Sequence, residues 1–541
     1  METSRRPYLK SLGHRGTIEG VTVSVGQSDL CHYFGGVRYA LPPPERWRRA
    51  RRLPSDYTYG SKTDPGRCTG GAGVCPQPGF MTQANPTEKD WTEDCFQCNV
   101  YVPTEEAPQD GWPVFVFIHG GWLQFGSPNG FNVAALLGET EFKAVVVMPA
   151  YRVNVFGFLY SAELEQDAAS VGETTGNHGF WDQRLALEWT KDNIHLFGGD
   201  AEKITISGYS AGANSVFHQL AYDLRQPDKK AIVRQAIMFS NSSAVQPKYP
   251  AETQHQFDEL LTALDIPLQL SAKDKVARLR STRPKILLDA IKTMGLHQFR
   301  PTTDGGFVLP TLFESLDTGE FAKRILDRNI RLIIGECRDE HYLYSIWFPP
   351  KENTLPALRK RLIADYPERI VDVIIPLHYP DGKLPADREN WVPDAWGKIY
   401  ADMQVHHMQR GLIHALTTNS TGVDVSHLIY RYRIEFRAKC TDESLPVEWG
   451  VTHSSDYPLW FWGNGKLLTD GEKTITRNAF TRPLGRFVRI EDDFGWGTSG
   501  KSTVRTIKPD GTYRIENDPL WETGVRAWKT TRSVDTYRSK I

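Results

Sequence analysis

One serine in the middle of the chain lies in a glycine-flanked pentapeptide that could carry a nucleophile. Residues 208–212 read Gly-Tyr-Ser-Ala-Gly, with an apolar, strand-like run before them and small residues behind them. A sharp turn from a strand into a helix lifts a serine hydroxyl out of a sheet, and only small flanking residues let such a turn pack. The pattern predicts that Ser210 attacks an acyl carbon and that the Ala211 N–H, at a helix N-terminus, faces the same carbonyl.

A glycine-rich loop earlier in the chain could supply further hydrogen-bond donors for acyl transfer. Residues 118–122 read Ile-His-Gly-Gly-Trp and directly follow an apolar run. Acyl transfer needs two or three N–H groups aimed at the developing oxyanion, and glycines let a backbone come that close. The loop is therefore a candidate oxyanion hole. The alternative is a tight turn whose glycines serve geometry only.

A serine nucleophile also needs a base and a carboxylate that orients it, and after a strand–serine–helix turn these follow in the order acid, then histidine. Residues 335–341, Gly-Glu-Cys-Arg-Asp-Glu-His, offer carboxylates after a predicted late strand. His453 follows the last predicted core strand. Position alone does not choose among the fifteen histidines of the chain, but His406 and His407 are predicted to lie on the surface of a helix near 395–416.

These candidates need a sheet that brings strand ends together, and the sequence contains suitable strands. Six short apolar runs lack the alternation of half-buried strands, which predicts a mostly parallel sheet covered by helices. They are 114–119, 144–150, 203–207, 236–240, 331–335 and 428–434. Residues 180–190 have helical periodicity, and the charged, helical region 250–325 separates two core strands. We expect one α/β domain over 1–541, with 250–325 as a helical insertion that covers the site.

The composition of the 541-residue chain narrows the range of partners. It is 40% hydrophobic with a formal net charge of -1, which argues against nucleic acid and favours a neutral or amphipathic small substrate. No apolar run reaches the roughly 20 residues that a membrane span needs, and no signal peptide is visible. We therefore expect a cytoplasmic protein, although the terminal Ser539-Lys540-Ile541 differs by one residue from a peroxisomal address.

Four of the seven cysteines lie within residues 68–98, but their spacing does not suggest a metal site. Cys95 and Cys98 form one closely spaced pair, whereas Cys68 and Cys75 lie too far apart for usual zinc-ligand spacing. The odd number leaves at least one thiol free. We expect neither a metal nor an organic cofactor.

Beyond these residues, stretches along nearly the whole chain resemble the type-B carboxylesterase and cholinesterase family. Residues 34–43 resemble its F-x-G-I-P-Y-A-x-P-P stretch, residues 93–100 its E-D-C-L-Y-L-N-V signature, and residues 119–127 its H-G-G-G-F-x-x-G-S loop. Three further segments, 151–159, 176–183 and 197–200, resemble the family's sequence ahead of the nucleophile. Ordered matches of this kind are specific to the family.

The resemblance implies an α/β-hydrolase fold, in which a central, mostly parallel sheet has helices on both faces. It implies Ser210 as the nucleophile, Glu340 as the orienting acid and His453 as the base. The oxyanion hole that it implies consists of the N–H groups of Gly121, Trp122 and Ala211. It further implies a small-molecule ester as substrate and no cofactor.

Some positions depart from the family pattern. Tyr209 stands where the family usually has glutamate, so we expect no special preference for cationic substrates. Trp122 replaces a glycine or alanine and should narrow one side of the pocket. Family members often pair the counterpart of Cys95 with an upstream cysteine, and either Cys75 or Cys68 could serve here. A cytosolic location would keep these thiols reduced.

Ester hydrolysis through an acyl-enzyme is the function that these features favour. An amidase, a lactonase or an acyl transferase could use the same residues, because pocket shape selects the leaving group and the acceptor. The family also includes scaffold and adhesion proteins that keep the fold without activity. Those typically lose the nucleophile or its partners, whereas Ser210, Glu340 and His453 are all present here.

Overall fold

The computed structural model describes residues 3–81, 85–386, 389–498 and 500–535 of the chain. The terminal Ser539-Lys540-Ile541, which resembles a peroxisomal address, lies outside the described residues. Within the described ranges the strands β1 to β15 lie, in chain order, at Thr3–Ser11, Thr17–Val25, Ser28–Arg38, Ala40–Leu41, Arg51–Arg52, Gly66–Arg67, Gln97–Val102, Trp112–Ile118, Val145–Pro149, Gly199–Tyr209, Gln235–Phe239, Arg331–Cys337, Ile429–Ile434, Thr503–Ile507 and Tyr513–Asn517.

Most of these strands form one large sheet with a parallel centre. Its order is β1-β2-β3-β7-β9-β8-β10-β11-β12-β13-β14-β15, and β6 pairs with β2. From β9 to β14 in this order the neighbouring strands run parallel, and antiparallel strands flank them at both margins. The six apolar runs of the sequence are β8 to β13, which are neighbours in the sheet. The prediction of a mostly parallel sheet is confirmed.

The helices α1 to α19 connect and cover these strands. They lie, in chain order, at Ala134–Glu139, Asn154–Phe158, Ala162–Ala169, His178–Asn193, Ala211–Leu224, Pro250–Ala263, Ala272–Ser281, Pro284–Ile291, Leu312–Thr318, Glu320–Asp327, His341–Ser345, Leu355–Asp365, Glu368–His378, Trp396–Ala401, His407–Thr417, Tyr457–Trp460, Asp470–Thr476, Arg482–Val488 and Trp521–Asp535. Among the described residues, none of these helices is long and apolar enough to cross a membrane.

The central strands are apolar on both faces because helices cover both. In β8, Val114 and Val116 belong to one core, which also contains residues of α5, while Phe115 and Phe117 belong to a second core with residues of α18. Alternate residues of a strand point to opposite faces of the sheet, so each face of β8 packs against its own helix layer. Strands buried in this way need continuous apolar runs, which is the pattern that the sequence shows.

The chain between β11 and β12, all of it described, folds into the helices α6 to α10. The end of this region reaches the loop after β8, where Gln124 Nε2 donates to Phe299 O at 2.6 Å. Gln298 Oε1 accepts the indole N–H of Trp347 at 3.2 Å. Phe299 therefore contacts the loop that carries Trp122, and Gln298 contacts Trp347. Within the described chain, none of the residues that line the cavity discussed below belongs to 250–325, so the expectation that this insertion covers the site is wrong at the cavity itself.

Candidate active site

The strand β10 and the helix α5 meet at Ser210, the single residue between them. Its backbone has φ 59° and ψ -126°, a conformation that residues with side chains rarely adopt. A Cβ at Gly208 would lie 2.3 Å from Gly212 O, and a Cβ at Gly212 would lie 2.0 Å from Ile118 O. Only glycine fits at these two positions, so close packing around the turn explains both glycines of the pentapeptide.

The loop after β8 lies directly against this turn. A Cβ at Gly120 would lie 3.0 Å from Ser210 Cβ, and a Cβ at Gly121, whose φ is 104°, would lie 2.1 Å from Phe125 O. Three N–H groups beside the serine donate to no acceptor in the described part of the chain, and they belong to Gly121, Trp122 and Ala211. These donors are available to an oxygen atom of a bound molecule.

A carboxylate and an imidazole form a buried pair at the same site. Glu340 Oε2 lies 2.5 Å from His453 Nδ1, and Glu340 Oε1 accepts the Cys337 N–H at 2.8 Å. Because a carboxylate only accepts, we assign the proton to Nδ1, and Nε2 then keeps its lone pair. His453 Nε2 is buried and has no hydrogen-bond partner among the described residues. The nitrogen that a general base would use is therefore free, and it is not hydrogen-bonded to the Ser210 hydroxyl.

Of the three carboxylates near the end of β12, Glu340 is the one that contacts His453. Asp339 Oδ2 instead accepts a backbone N–H from the segment before the histidine, at 2.9 Å. Glu336 belongs to a separate buried cluster, in which Arg410 donates to both of its oxygens. The three carboxylates of this short stretch thus accept hydrogen bonds from three different parts of the chain, which their spacing alone does not reveal.

A hydrogen-bonded link that sequence reasoning missed joins the nucleophile turn to the segment that carries His453. Tyr209 Oη donates to Asp456 Oδ1 at 2.5 Å and accepts the Ser454 N–H at 2.9 Å. Asp456 also accepts the indole N–H of Trp460 at 2.9 Å. Burial raises the pKa of Asp456 to about 6, although the hydrogen bond from Tyr209 opposes this rise. The partners of Tyr209 lie 245 and 247 residues away in sequence, so no local pattern indicates them.

The serine, the imidazole and the glycine loop border one cavity of about 830 Å³. Residues from 74–81, 85–90 and 441–466 form much of its remaining wall. Trp122 lines the cavity, and its indole stacks on Trp347 with 4.6 Å between ring centroids. Phe80 packs edge-on against Trp122 at 5.1 Å. The indole that replaces a small residue of the family pattern therefore occupies one side of the cavity and is held there by other aromatic rings.

The prediction that His406 and His407 lie on the surface is wrong, because the helix region that carries them is enclosed. Each of the two is 6% exposed. The helix α15 packs closely against α19, where a Cβ at Gly411 would lie 2.4 Å from the Trp528 ring. Neither histidine lines the cavity, so neither competes with His453 for the role of base.

One group of the described residues could hold a metal ion, and it lies outside the cavity. His378, Asp402 and His407 bring their ligand atoms within 4.8 Å of one another. His378 Nε2 lies 3.0 Å from Asp402 Oδ2, and its Nδ1 lies 3.0 Å from Ile374 O. These two contacts, to a carboxylate and to a backbone carbonyl, already occupy both nitrogens of the His378 ring. We therefore interpret this group as a hydrogen-bonded contact of the fold.

All seven cysteines are buried free thiols in this structure. The sequence left Cys75 and Cys68 open as the upstream neighbour of Cys95. A hydrogen bond with Cys75, followed by burial, raises the pKa of the Cys95 thiol well above its usual value. Burial and then the nearby Cys68 raise the pKa of Cys98. Cys75 is thus the thiol that lies beside Cys95, and Cys68 lies on the side of Cys98.

Known proteins share both the sequence and the fold. Residues 10–510 match the model of the Carboxylesterase family. A protein named carboxylic ester hydrolase from Gibberella moniliformis is 44% identical over 539 residues, which cover 98% of this chain and 97% of the relative. The para-nitrobenzyl esterase of Bacillus subtilis is 30% identical over 528 residues, which cover 93% of this chain and 95% of the relative.

Two solved structures are similar over their whole length. EstA of Aspergillus niger superposes with a TM-score of 0.75 and 21% identity over 98% of each chain. A PNB esterase superposes with a TM-score of 0.70 and 22% identity, covering 97% of this chain and 100% of the other. The α/β-hydrolase fold implied by the sequence resemblance is confirmed. Because the family match spans most of its length, the chain belongs to the carboxylesterase family and is a carboxylic ester hydrolase.

Proposed function

We propose that the chain hydrolyses small-molecule esters through an acyl-enzyme on Ser210, with His453 as base and Glu340 as the acid that orients it. The observation that carries this proposal is the contact of 2.5 Å between Glu340 and His453 Nδ1, which leaves Nε2 free at the cavity that Ser210 lines. Nucleophilic acyl transfer needs a serine, an imidazole and a carboxylate in these relative positions.

The reaction would proceed in two half-reactions. First, His453 Nε2 takes the Ser210 proton as the serine oxygen attacks the ester carbonyl carbon. The tetrahedral intermediate then loses the alcohol, to which the imidazolium returns the proton. Glu340 keeps the proton on Nδ1 and stabilises the imidazolium throughout. In the second half-reaction water takes the place of the serine hydroxyl, and the carboxylic acid leaves with Ser210 regenerated.

The oxyanion of each tetrahedral intermediate would bind to the N–H groups of Gly121, Trp122 and Ala211. This binding role is supported by the observation that none of the three N–H groups donates to another acceptor in the described chain. Removal of one donor of this kind costs an esterase or protease about 10²- to 10³-fold in kcat. Because the donors are backbone atoms, the large side chain of Trp122 does not remove its contribution.

The first step requires a hydrogen bond that the free protein lacks, between the Ser210 hydroxyl and His453 Nε2. Catalytic hydrogen bonds are often long or poorly aligned in enzymes without substrate and tighten in the complex. Rotation about the Cα–Cβ bond of the serine moves its hydroxyl without changing the backbone. We infer that a bound ester favours the rotamer in which the serine faces the imidazole.

The cavity favours neutral esters larger than an acetyl ester. Its volume of about 830 Å³ lies in the range of pockets that bind drug-sized molecules. Tyr209 replaces the glutamate that the family usually has beside the nucleophile, and its hydroxyl is engaged with Asp456. We therefore expect a neutral ester to react at least as fast as a choline ester of equal length. A clear preference for the choline ester would contradict this part of the proposal.

The test of the nucleophile is labelling with a fluorophosphonate probe, together with hydrolysis of short and medium p-nitrophenyl esters. The wild-type chain should label and turn over, and Ser210→Ala should do neither. Ser215→Ala is a matched control, because Ser215 is buried on the same helix and does not line the cavity. A folded wild-type chain that neither labels nor turns over would contradict the proposal and favour a silent scaffold.

The same residues could act on amides or lactones or transfer the acyl group to another alcohol. A matched anilide, a lactone and an added alcohol acceptor, compared with the p-nitrophenyl ester of the same acyl group, separate these reactions. We expect the ester to give the highest kcat/KM. A higher kcat/KM for the anilide or the lactone would contradict the proposal that simple esters are hydrolysed. Formation of a new ester with the added alcohol, in place of the free acid, would contradict it as well.

A further inference from the structure

Tyr209 is joined by one peptide bond to the nucleophile, yet its side chain lies in the core behind it. The residue is 0% exposed. Its ring packs against Tyr457, with 4.3 Å between centroids, and lies 5.1 Å from the His453 ring. The ring therefore fills space next to the base, and a phenylalanine ring would fill the same space.

The hydroxyl of Tyr209 does something that a phenylalanine could not do. It accepts the backbone N–H of Ser454 at 2.9 Å, and Ser454 is the residue that directly follows His453. Ser454 has φ 73°, in the left-handed region that residues with side chains rarely adopt. A hydrogen bond at this point holds the backbone of the base in a conformation that it would not prefer alone.

The same hydroxyl also fixes the far end of the segment. It donates to Asp456 Oδ1 at 2.5 Å, and Asp456 Oδ2 accepts the Trp460 N–H at 2.9 Å. Asp456 is fully buried, and no lysine or arginine pairs with it among the described residues. Its charged form depends on these two neutral donors, so the Tyr209 hydroxyl is strongly held on both its donor and acceptor sides.

We propose that Tyr209 is a positioning residue for acyl transfer, which holds His453 at the right distance from Ser210 through the Ser454 backbone and Asp456. The proposal rests on the roles of Ser210 and His453 given above. Glu340 orients the imidazole ring at Nδ1, but it belongs to a different strand end and does not connect the base to the nucleophile. Tyr209 makes that connection directly, because its backbone continues into Ser210.

The alternative is a purely structural role, in which Tyr209 only fills space in the core. The two interpretations differ in what removal of the hydroxyl changes. A core residue affects stability and leaves kcat unchanged in the folded protein. A positioning residue affects kcat, because a misplacement of about 1 Å in a catalytic group costs on the order of 10²-fold in rate.

The decisive variant is Tyr209→Phe, measured with the p-nitrophenyl ester at a temperature where the variant is fully folded. We expect kcat to fall about 10- to 100-fold with KM changed less than about threefold. The rate constant of fluorophosphonate labelling should fall by a similar factor, because it reports the activation of Ser210 without turnover. A kcat and a labelling rate within about twofold of wild type would overturn the proposal.

Tyr432→Phe is the matched control. Tyr432 is a buried tyrosine of β13 in the same core, its ring packs against Trp460 at 5.1 Å, and its hydroxyl bonds to no side chain in the described chain. We expect wild-type kcat from this variant. An equal loss of kcat in Tyr432→Phe would show that the reaction responds to any change in this core, and the proposal would then be wrong.

A second variant keeps the test usable if Tyr209→Phe does not fold. Asp456→Asn retains the shape of the acceptor and removes its charge, and we expect it to lower kcat about tenfold with little change in KM. Where both variants fold, kcat of the double variant should fall no further than kcat of Tyr209→Phe alone, because the two residues act through one link. Multiplicative losses, or an unchanged kcat in Asp456→Asn, would overturn the link. A wild-type chain without activity or labelling would instead contradict the proposed function itself.

Discussion

Two glutamates at the end of β12, Glu336 and Glu340, are equally buried and have opposite surroundings. Glu336 accepts hydrogen bonds from many side chains, namely His406 Nδ1, Gln409 Nε2, both terminal nitrogens of Arg410 and Arg433 Nη1. Glu340 accepts one backbone N–H and the Nδ1–H of His453. The difference shows how the surroundings of a carboxylate that stabilises the fold differ from those of the carboxylate proposed to orient the base. Two arginines, an imidazole and an amide surround Glu336, whereas Glu340 has a single imidazole partner whose other nitrogen is free.

The surroundings of Glu336 also explain why its charge is tolerated in the core. Burial alone would raise the pKa of this carboxyl, but Arg410 and His406 outweigh burial and hold the pKa well below its usual value. Arg410 additionally donates to Asp518 at 2.9 Å, and Asp518 lies shortly before α19. The cluster thus ties β12 to α15 and to the C-terminal part of the chain.

The largest expected contrast is between the two histidines that contact these glutamates. His453→Gln should lower kcat by about 10⁴-fold or more, because it removes the proposed general base. His406→Gln should leave kcat within about threefold, since the glutamine can still donate to Glu336. The measurement is ester turnover and fluorophosphonate labelling of both folded variants. A His406→Gln variant as inactive as His453→Gln would break the comparison.

The next contrast is between the glutamates themselves. Glu340→Gln should lower kcat about 10²- to 10⁴-fold, because an amide no longer stabilises the imidazolium or fixes the tautomer with Nδ1 protonated. Glu336→Gln should keep kcat per folded molecule within about threefold. The tryptophan fluorescence of each variant, which does not depend on the activation of Ser210, gives the folded fraction needed for this comparison. Equal losses of kcat in the two variants would contradict the separation of roles.

Stability should show the reverse order. Glu336→Gln should lower the free energy of unfolding by about 3 to 5 kcal/mol, because it leaves buried arginines without their carboxylate. Glu340→Gln should cost less than about 2 kcal/mol, since it breaks contacts with one imidazole and one N–H. Urea unfolding followed by tryptophan fluorescence tests both values. A larger loss of stability in Glu340→Gln than in Glu336→Gln would mean that the contact between Glu340 and His453 also stabilises the fold.

The smallest expected effect is a difference in pH dependence between two buried acids. The pKa of Glu336 lies well below its usual 4.5, so its contribution to stability is present above pH 4.5 and is lost as the pH falls further. The pKa of Asp456 is raised from 3.8 to about 6, so its contribution is present below pH 4 and is lost as the pH rises through 6. The free energy of unfolding, measured from pH 3 to 7, should therefore fall more steeply with acid in Asp456→Asn than in the wild type. In Glu336→Gln it should fall less steeply. The opposite pattern would contradict these two pKa shifts.

Much of the fold was predictable because its determinants are local. Continuous apolar runs predicted six central strands, and the structure places all six side by side as β8 to β13. The role of the glycines around Ser210 was equally predictable from the sequence, because the turn and the loop that they form have no room for a Cβ at these positions. Such requirements depend on a few neighbouring residues, so they remain visible in sequence.

Other features depended on partners far along the chain. Sequence placed His406 and His407 on a helix surface, but both are buried. His406 contacts Glu336 of β12, 70 residues earlier, and the helix α15 packs against α19. The family resemblance implied Glu340 among the three carboxylates at positions 336, 339 and 340, but which of them contacts His453 depends on which way each side chain turns after β12.

The sequence by itself therefore determined the strands of the central sheet, the turn that exposes Ser210 and the glycine loop beside it, because local backbone geometry and burial pattern dictate them. Only the tertiary structure decided that Glu340 meets His453, that Cys75 lies beside Cys95 and that Tyr209 reaches Asp456. These contacts join residues from separate strands and loops, and the packing of the whole chain sets which of them come within hydrogen-bonding distance.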